Sequence, residues 1–445
     1  MASGRFSADD RCTAGWPCQG VGWRPVRAGV ASPGAGVVRK QSLEIPRDAR
    51  SRDACMSVRR LLFVVNDTAI FASHRLPVAV AASRAGYEVH LAALDSGALD
   101  VLRDHGIGFH PLHVDRTGLN PVQDLRMAFD LVRIVRRVRP TLMHTVTIKP
   151  VIYGGILARL LGVPSLVSAV TGLGQVFTDQ KSMPRPVRAL ARALYRLALG
   201  HKNSCTIFQN PDDRAFMVDT NLVSIDRTAL IRGSGVDMAC FTPEPQPPGP
   251  AVVILPARLL WDKGIGEFVE AARILRDADL DARLALVGEP PPHNRGSVPR
   301  ETIGRWVAEG LVEWWGHQTD MPDVYARSHV VCLPSYYGEG VPRALIEAAA
   351  CGRPIVTADT PGCREVVRDG VNGFLVPPRA APALAEALRQ LLLDPARCEA
   401  MGRRGRDLAV AEFSVEHVVE ATLKVYAGLE AQPSHDLPRG HHVQS

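Results

Sequence analysis

The stretch AVVILPARLLWDKG, Ala251–Gly264, follows directly on the proline-rich run FTPEPQPPGP, residues 241–250. An unbroken apolar run of this kind, ending on a proline and two cations, reads as a strand buried on both faces, as in a parallel sheet. The pattern then repeats. Strands ARLALVG, VEWWG, HVVCLPS, PIVTAD and GFLVP alternate with helical GEFVEAARILRDA, ETIGRWVAE, MPDVYARS and ALIEAAACG. Strand–helix alternation of this length predicts a doubly wound α/β unit with helices on both faces of the sheet.

The same alternation precedes the proline run. RRLLFVVND is a buried strand, Leu76–Ala85 a small-residue helix closed by Gly86, and YEVHLAAL and IGFHPLHV are further strands. A helix over Pro121–Arg139, strand TLMHTV, a helix near Ile152–Leu161, strand PSLVSAV, a basic helical segment and strand CTIFQN complete a first unit. The expected architecture is therefore two doubly wound Rossmann-like α/β domains facing a cleft. Their limits are drawn at 56–240 and 241–410, with an expected C-terminal crossover helix at 411–430, whose crossing periodicity does not by itself derive, and a disordered tail at 431–445. Residues 1–55, rich in Gly, Arg, Ser and Pro, are expected to be a disordered extension or an upstream start assignment. The alternative reading of that segment is a basic interaction arm.

The 445 residues exceed the roughly 250–300 at which one core stops growing, which agrees with two domains. The net charge of +6 is mild, so only its distribution can point to a partner. Nine scattered cysteines lack paired metal-ligand spacing and suit a reducing compartment. No apolar run reaches the roughly 18 residues of a membrane span.

Ligands in open parallel sheets sit beyond the strand C-termini. That selects Asn66–Arg75, His144–Lys149 and Thr171–Asp179 in the first unit. In the second it selects Arg258 and Lys263, two cations after the first strand, and the loop YYGEGVPR before helix ALIEAAACG. Gly338 and Gly340 permit a tight loop there, Pro342 suits a first helical turn, and the amides from Gly340 and Val341 to Arg343 form an expected phosphate cradle. Glu339 lies at the mouth of that loop and Glu347 inside the helix, both suited to accepting hydrogen bonds from sugar hydroxyls.

These motifs, together with DTPGCREVV (Asp359–Val367) and DGVNGFLVP (Asp369–Pro377), resemble retaining glycosyltransferases of the two-domain GT-B fold, specifically glycosyltransferase family 4. The resemblance spans roughly residues 58–428. It implies a nucleoside-diphosphate sugar as donor substrate held by the second domain, an acceptor held by the first, and no required metal or cofactor. By that resemblance Arg258 and Lys263 meet the donor diphosphate, Glu339 the transferred sugar, Glu347 the ribose, and Gly362 approaches base or sugar. FASHRLPVAVAASRAGYEV, HTVTIKPVIYGGILARLLGVP and AVTGLGQVF resemble bacterial members acting on polyprenyl-diphosphate-linked saccharides in surface polysaccharide or glycan assembly. The histidine usual after the fifth strand is replaced here by TGLG, Thr171–Gly174, and His144 is the residue expected to take part of its role. His74, Arg75, Thr171 and Asp179 are the expected acceptor contacts.

Residues 181–202 set Arg188, Arg192 and Arg196 four apart beside Val187, Leu190, Leu194 and Leu197, and RMAFDLVRIVRRVRP adds a second basic run. The expectation is peripheral attachment to an anionic membrane, on the inner face of the plasma membrane, at a polyprenyl-linked acceptor. Ordinary packed helices with solvated charges are the plainer reading. Nucleic acid is disfavoured, because the basic helices lack an aromatic stacking platform. Self-association of the chain stays open. A transferase with a soluble acceptor, a nucleotide-sugar epimerase or phosphorylase, and a non-catalytic sugar- or lipid-binding protein are the competing functions.

Overall fold

A computed structural model of the chain describes residues 58–114, 120–173, 185–292, 294–336 and 338–431. The first sheet contains β1 (Arg59–Asp67), β2 (Tyr87–Leu94), β3 (Gly108–Pro111), β4 (Leu142–Val146), β5 (Ser165–Val170), β6 (Ser204–Phe208) and β7 (Thr228–Leu230). Around it lie α1 (Thr68–His74), α2 (Leu76–Arg84), α3 (Leu99–Asp104), α4 (Pro121–Val138), α5 (Ile148–Leu160), α6 (Arg185–Leu199) and α7 (Pro211–Asp219). The second sheet contains β8 (Ala251–Pro256), β9 (Ala282–Val287), β10 (Glu313–Gly316), β11 (Val330–Leu333), β12 (Ile355–Ala358) and β13 (Gly373–Val376). Its helices are α8 (Ile265–Asp277), α9 (Arg300–Ala308), α10 (Met321–Ala326), α11 (Arg343–Ala350), α12 (Pro361–Arg364), α13 (Ala381–Leu392) and α14 (Pro395–Glu412). The last described helix is α15 (Val415–Ala431).

The strand orders are β3-β2-β1-β4-β5-β6-β7 and β10-β9-β8-β11-β12-β13. Every pair within the two sheets is parallel, with Val331 opposite Ile254 where β11 meets β8. In both sheets the order reverses beside the first strand, between β1 and β4 and between β8 and β11. Loops leaving those strands diverge to opposite faces and open a crevice, so each sheet carries its ligand position there. β1 shows why both faces must be covered. Leu61, Phe63 and Val65 enter one apolar cluster, whereas Leu62 and Val64 enter another on the opposite face.

Helix α15 returns to the first sheet, a crossing that periodicity alone did not reveal. Val418, Tyr426 and Leu429 join the same cluster as Leu61 and Phe63. Beside it, Val236 N–H donates to the Phe413 carbonyl and Val415 N–H to the Val236 carbonyl, so two chain passages run side by side between the sheets. Gly235 is left-handed at φ 75°, and a Cβ there would lie 2.7 Å from the Val415 backbone.

Several expectations change. The segment 66–75 is not a loop: β1 passes straight into α1, because Asp67 caps it by accepting the Ile70 amide at 2.8 Å. Helix α5 begins at Ile148 rather than near Ile152, and Lys149 pairs with Asp124 at 2.8 Å. Elements α7, β7, α13 and α14 were not anticipated. His144 lies inside β4, where Leu142, His144 and Val146 share a face, and α15 closes over it. Its ring stacks on Phe63, and its Nδ1 is 2.6 Å from the Tyr426 hydroxyl. Burial, with the nearby Arg75 charge, drives its pKa well below the ordinary value. His144 is therefore a core residue shut off from the cleft, and the expected catalytic role is withdrawn.

The crossover should govern the stability of the first unit. Tyr426→Ala is expected to cost about 3–5 kcal/mol, since it opens a cavity and strands His144 Nδ1. Tyr426→Phe should cost only about 1–2 kcal/mol. Urea denaturation monitored by circular dichroism checks both, and equal midpoints for Tyr426→Ala and the parent would reject the packing role.

Candidate active site

The second sheet builds its crevice from the ends of β8 and β11. After β8 the chain makes one 3-10 turn, Trp261–Lys263, and reverses at Gly264, whose φ is 77°. A Cβ on Gly264 would stand 2.4 Å from the Pro334 carbonyl, so glycine lets the two strand-end loops touch. The approach has a direct consequence. Lys263 Nζ reaches Glu339 Oε1 at 2.6 Å, and both side chains are largely buried. Buried Ser335 donates its hydroxyl to the same Oε1 at 2.6 Å, and the Tyr336 amide donates to the Asp262 carbonyl at 3.0 Å. Burial raises the Asp262 carboxyl against the opposing pull of Lys263. Arg258 lies exposed beside this cluster and makes no ion pair among the described residues.

Helix α11 supplies the second arm. Pro342 stands at its N-cap rather than within its first turn. Glu347 is buried one turn further on, its Oε1 accepting from Arg343 Nε at 2.7 Å and its Oε2 from the Tyr325 hydroxyl at 3.0 Å. Tyr325 is fully buried, and burial with the adjoining Glu347 charge pushes its phenol well above the ordinary value. A carboxylate held at both oxygens is fixed in one rotamer, as a recognition group must be.

The first unit closes onto this loop. The Thr171 carbonyl accepts the Gly340 amide at 3.0 Å, and Gln209 Oε1 accepts the Val341 amide at 2.9 Å. The cradle expected at Gly340 and Val341 is therefore corrected: both amides already carry partners from the opposite domain. Gly172 sits over the loop with φ 126°, and its Cβ would lie 2.7 Å from the Gly338 carbonyl. Gly362, in the turn α12, is pressed onto the Gly340 carbonyl, where a Cβ would stand only 1.6 Å away. Arg343 also donates to the Ser73 carbonyl at the end of α1.

The expected acceptor contacts divide. Thr171 reaches the cleft through its backbone. His74 is at its edge, next to Arg343, with its Nδ1 2.6 Å from the Ser73 hydroxyl. Burial, reinforced by the charges of Arg343 and Arg75, pushes its pKa down to about 3, so it is neutral. Arg75 is only 3% exposed and burial lowers its pKa, so its guanidinium is turned into the domain rather than offered to a phosphate at the surface. Asp179 lies outside the described residues. Sequence reasoning missed Gln209, Ser335, Tyr325 and Arg343. Only Arg343 carried a local signal, its i,i+4 spacing to Glu347. Among the described residues, no group of three His, Cys, Asp or Glu side chains is placed to hold a metal ion.

Residues 241–408 match the family model Glycosyl transferases group 1, and residues 60–210 match Glycosyl transferase 4-like. The chain is 26% identical over 352 residues to the N,N'-diacetylbacillosaminyl-diphospho-undecaprenol alpha-1,3-N-acetylgalactosaminyltransferase of Campylobacter jejuni, spanning 75% of this chain and 90% of that protein. It is 24% identical over 357 residues to an Escherichia coli UDP-Gal:alpha-D-GlcNAc-diphosphoundecaprenol alpha-1,3-galactosyltransferase, spanning 76% and 89% respectively. A Mycobacterium tuberculosis glycogen synthase, 31% identical, is matched over only 47% of its length. Among solved structures, a sucrose-phosphate synthase from Thermosynechococcus elongatus superposes with a TM-score of 0.70 at 22% identity, covering 84% of this chain and 99% of that one. Anabaena Alr3699/HepE in complex with UDP superposes with a TM-score of 0.66 at 19% identity, covering 83% and 100%.

The packing of Gly362 on Gly340 gives a test that touches no charged group. Gly362→Ala must displace the loop carrying Glu339, and is expected to lower nucleoside-diphosphate release at least tenfold with an unchanged far-ultraviolet circular dichroism spectrum. An unaltered rate would show that the loop position does not matter to turnover.

Proposed function

We propose that this glycosyltransferase of the GT-B fold moves a hexose or N-acetylhexosamine, with retention, from a nucleoside-diphosphate sugar to a polyprenyl-diphosphate-linked saccharide at an anionic membrane surface. The observation that carries the reading is the Lys263–Glu339–Ser335 cluster at the switch point of the second sheet, with exposed Arg258 beside it. Acceptor chemistry draws support from the two relatives matched over most of their length, both named for undecaprenyl-diphosphate-linked saccharides.

The donor diphosphate lies between the ends of β8 and β11, against Arg258, Lys263 and the positive end of α11. Glu347, fixed by Arg343 and Tyr325, accepts from the ribose hydroxyls, and Glu339 accepts from a hydroxyl of the transferred sugar. The bond from the anomeric carbon to the diphosphate oxygen breaks with its electron pair on that oxygen. Lys263 and Arg258 bear the growing charge. The acceptor hydroxyl bonds to the same face of the anomeric carbon and gives its proton to the departing phosphate. Domain closure supplies the alignment of the two sugars. Neither glutamate needs to form a covalent intermediate.

The membrane part of the reading is supported by the outer face of the first unit. On α4, Val122, Leu125 and Phe129 are 64%, 72% and 56% exposed, in line with exposed Arg126 and Arg133. On α6, Leu190 and Leu197 are exposed, flanked by Arg188, Arg192 and Arg196, and Leu160 is exposed on α5, the helix that contacts both α4 and α6. The two aspartates of α4 are turned to other duties, Asp124 to Lys149 and Asp130 to His113. Apolar side chains set among cations suit the boundary of an anionic bilayer. Among the described residues, no helix is long and apolar enough to cross a membrane.

Lys263→Ala and Glu339→Gln are each expected to lower transfer by about 10²–10³-fold. A panel of uridine-, guanosine- and adenosine-diphosphate sugars with extracted lipid-linked acceptor measures this and identifies the donor; parental rates in either folded variant would reject its assigned role. The full chain should also cosediment with phosphatidylglycerol vesicles at low salt and be released as salt rises. Phe129→Ser with Leu190→Ser should weaken that binding at least tenfold, and absence of vesicle binding by the parent would sink the membrane assignment.

A further inference from the structure

A second basic feature lies at the opposite end of the first sheet from the cleft. A groove of about 610 Å³ is bounded by Arg60 at the start of β1, Glu88 and His90 on β2, Gly108 and His110 on β3, and Arg136, Arg137 and Arg139 at the end of α4. Its floor is made possible by Gly108, where a Cβ would stand 2.5 Å from His90 Nδ1. The bare backbone lets the His90 ring lie across β3, and its Nδ1 comes 3.2 Å from His110 Nε2.

The charge balance of this groove is one-sided. Glu88 is its only lining acid, and it is engaged by Arg60 at 3.1 Å and lies 3.2 Å from His90. Arg136, Arg137 and Arg139 are all exposed, and none makes an ion pair among the described residues. One or two cations in a last helical turn are favoured by the helix dipole. A third guanidinium at the left-handed C-cap, Arg139 with φ 50°, shares that dipole but adds like-charge repulsion to the cluster. Guanidinium groups lining a concave wall match the oxygens of phosphate, and the two hydrogen-bonded imidazoles form the floor beneath them.

We propose that this groove binds a phosphate-bearing ligand, through Arg137 and Arg139 at its lip and His110 at its floor, as a site separate from the transferase cleft. Two sources share this chemistry: a phosphorylated lipid headgroup presented by the membrane, and a soluble phosphate compound.

The test titrates inorganic pyrophosphate into the full chain and follows the imidazole C–H resonances of His90 and His110, assigned with H90Q and H110Q. A saturable shift is expected in the parent and in Lys263→Ala, which disables the phosphate position in the cleft. In Arg137→Gln/Arg139→Gln the apparent affinity should fall at least tenfold, while transfer to a soluble acceptor analogue stays at the parental rate. No saturable shift in the parent would overturn the site, as would a shift abolished by Lys263→Ala but untouched by the double variant. Vesicle cosedimentation separates the sources. If phosphatidate vesicles bind the double variant at least fivefold less than the parent, and pyrophosphate competes with them, the ligand is a headgroup. If vesicle binding is the same while the pyrophosphate shift is lost, the ligand is soluble.

Discussion

The contact on which the candidate site depends is the approach of two backbone loops at Gly264 and Pro334. The loops leaving β8 and β11 come within van der Waals distance only because position 264 has no Cβ and adopts a left-handed conformation. That contact places the ammonium of Lys263 on Glu339 and the hydroxyl of Ser335 on the same oxygen. A lysine–carboxylate pair with only 11% and 15% of its side chains exposed is costly to desolvate, and replacing such a pair with apolar residues would often be neutral or stabilising. Its presence at the switch point of a parallel sheet is therefore better explained by chemistry than by folding. On the proposed reading, the pair holds the lysine ammonium where a diphosphate can share it.

The second domain does not complete this arrangement by itself. Thr171 and Gln209, at the ends of β5 and β6, hold the Gly340 and Val341 amides, and Arg343 ties α11 to the end of α1. Farther out, Arg232 pairs with Glu365 at 2.7 Å and Glu412 at 2.6 Å, and Arg364 with Asp212 at 3.6 Å. These contacts between the domains are polar and exchangeable with water at modest cost. The apolar attachment lies elsewhere, in α15 against the first sheet, which lets the polar contacts break without separating the domains.

Much of this architecture was legible because alternation of buried strands with amphipathic helices is a local property. The placement of Arg258, Lys263, Glu339 and Glu347 beyond the ends of β8 and β11 was legible for the same reason, since each follows a recognisable strand. The failures share a cause. His144 was misread because its partner, Tyr426, lies 282 residues later on a helix whose return could not be inferred from periodicity. Once that helix is placed, the face shared by Leu142, His144 and Val146 is plainly interior. Arg75 was misread similarly, its exposure being set by what packs over the junction of α1 and α2. Gln209, Ser335 and Tyr325 carry no local signal, because their roles exist only after loops from separate segments meet.

The polarity of parallel sheets orders the remaining surfaces. Strand C-termini face the cleft, so a helix following a strand runs back toward the opposite edge, and α4 does so over about 27 Å at 1.5 Å per residue. Its outward stripe changes character along that length, from Val122, Leu125 and Phe129 near the cleft edge to Arg133, Arg136 and Arg137 beside the basic groove. On the proposed reading, the apolar half would enter the bilayer boundary close to where a polyprenyl-linked acceptor must arrive, while the basic half remains among the headgroups. A gradient in that sense orients the cleft toward the lipid; the reverse gradient would anchor the protein equally well and hold the acceptor away from the donor.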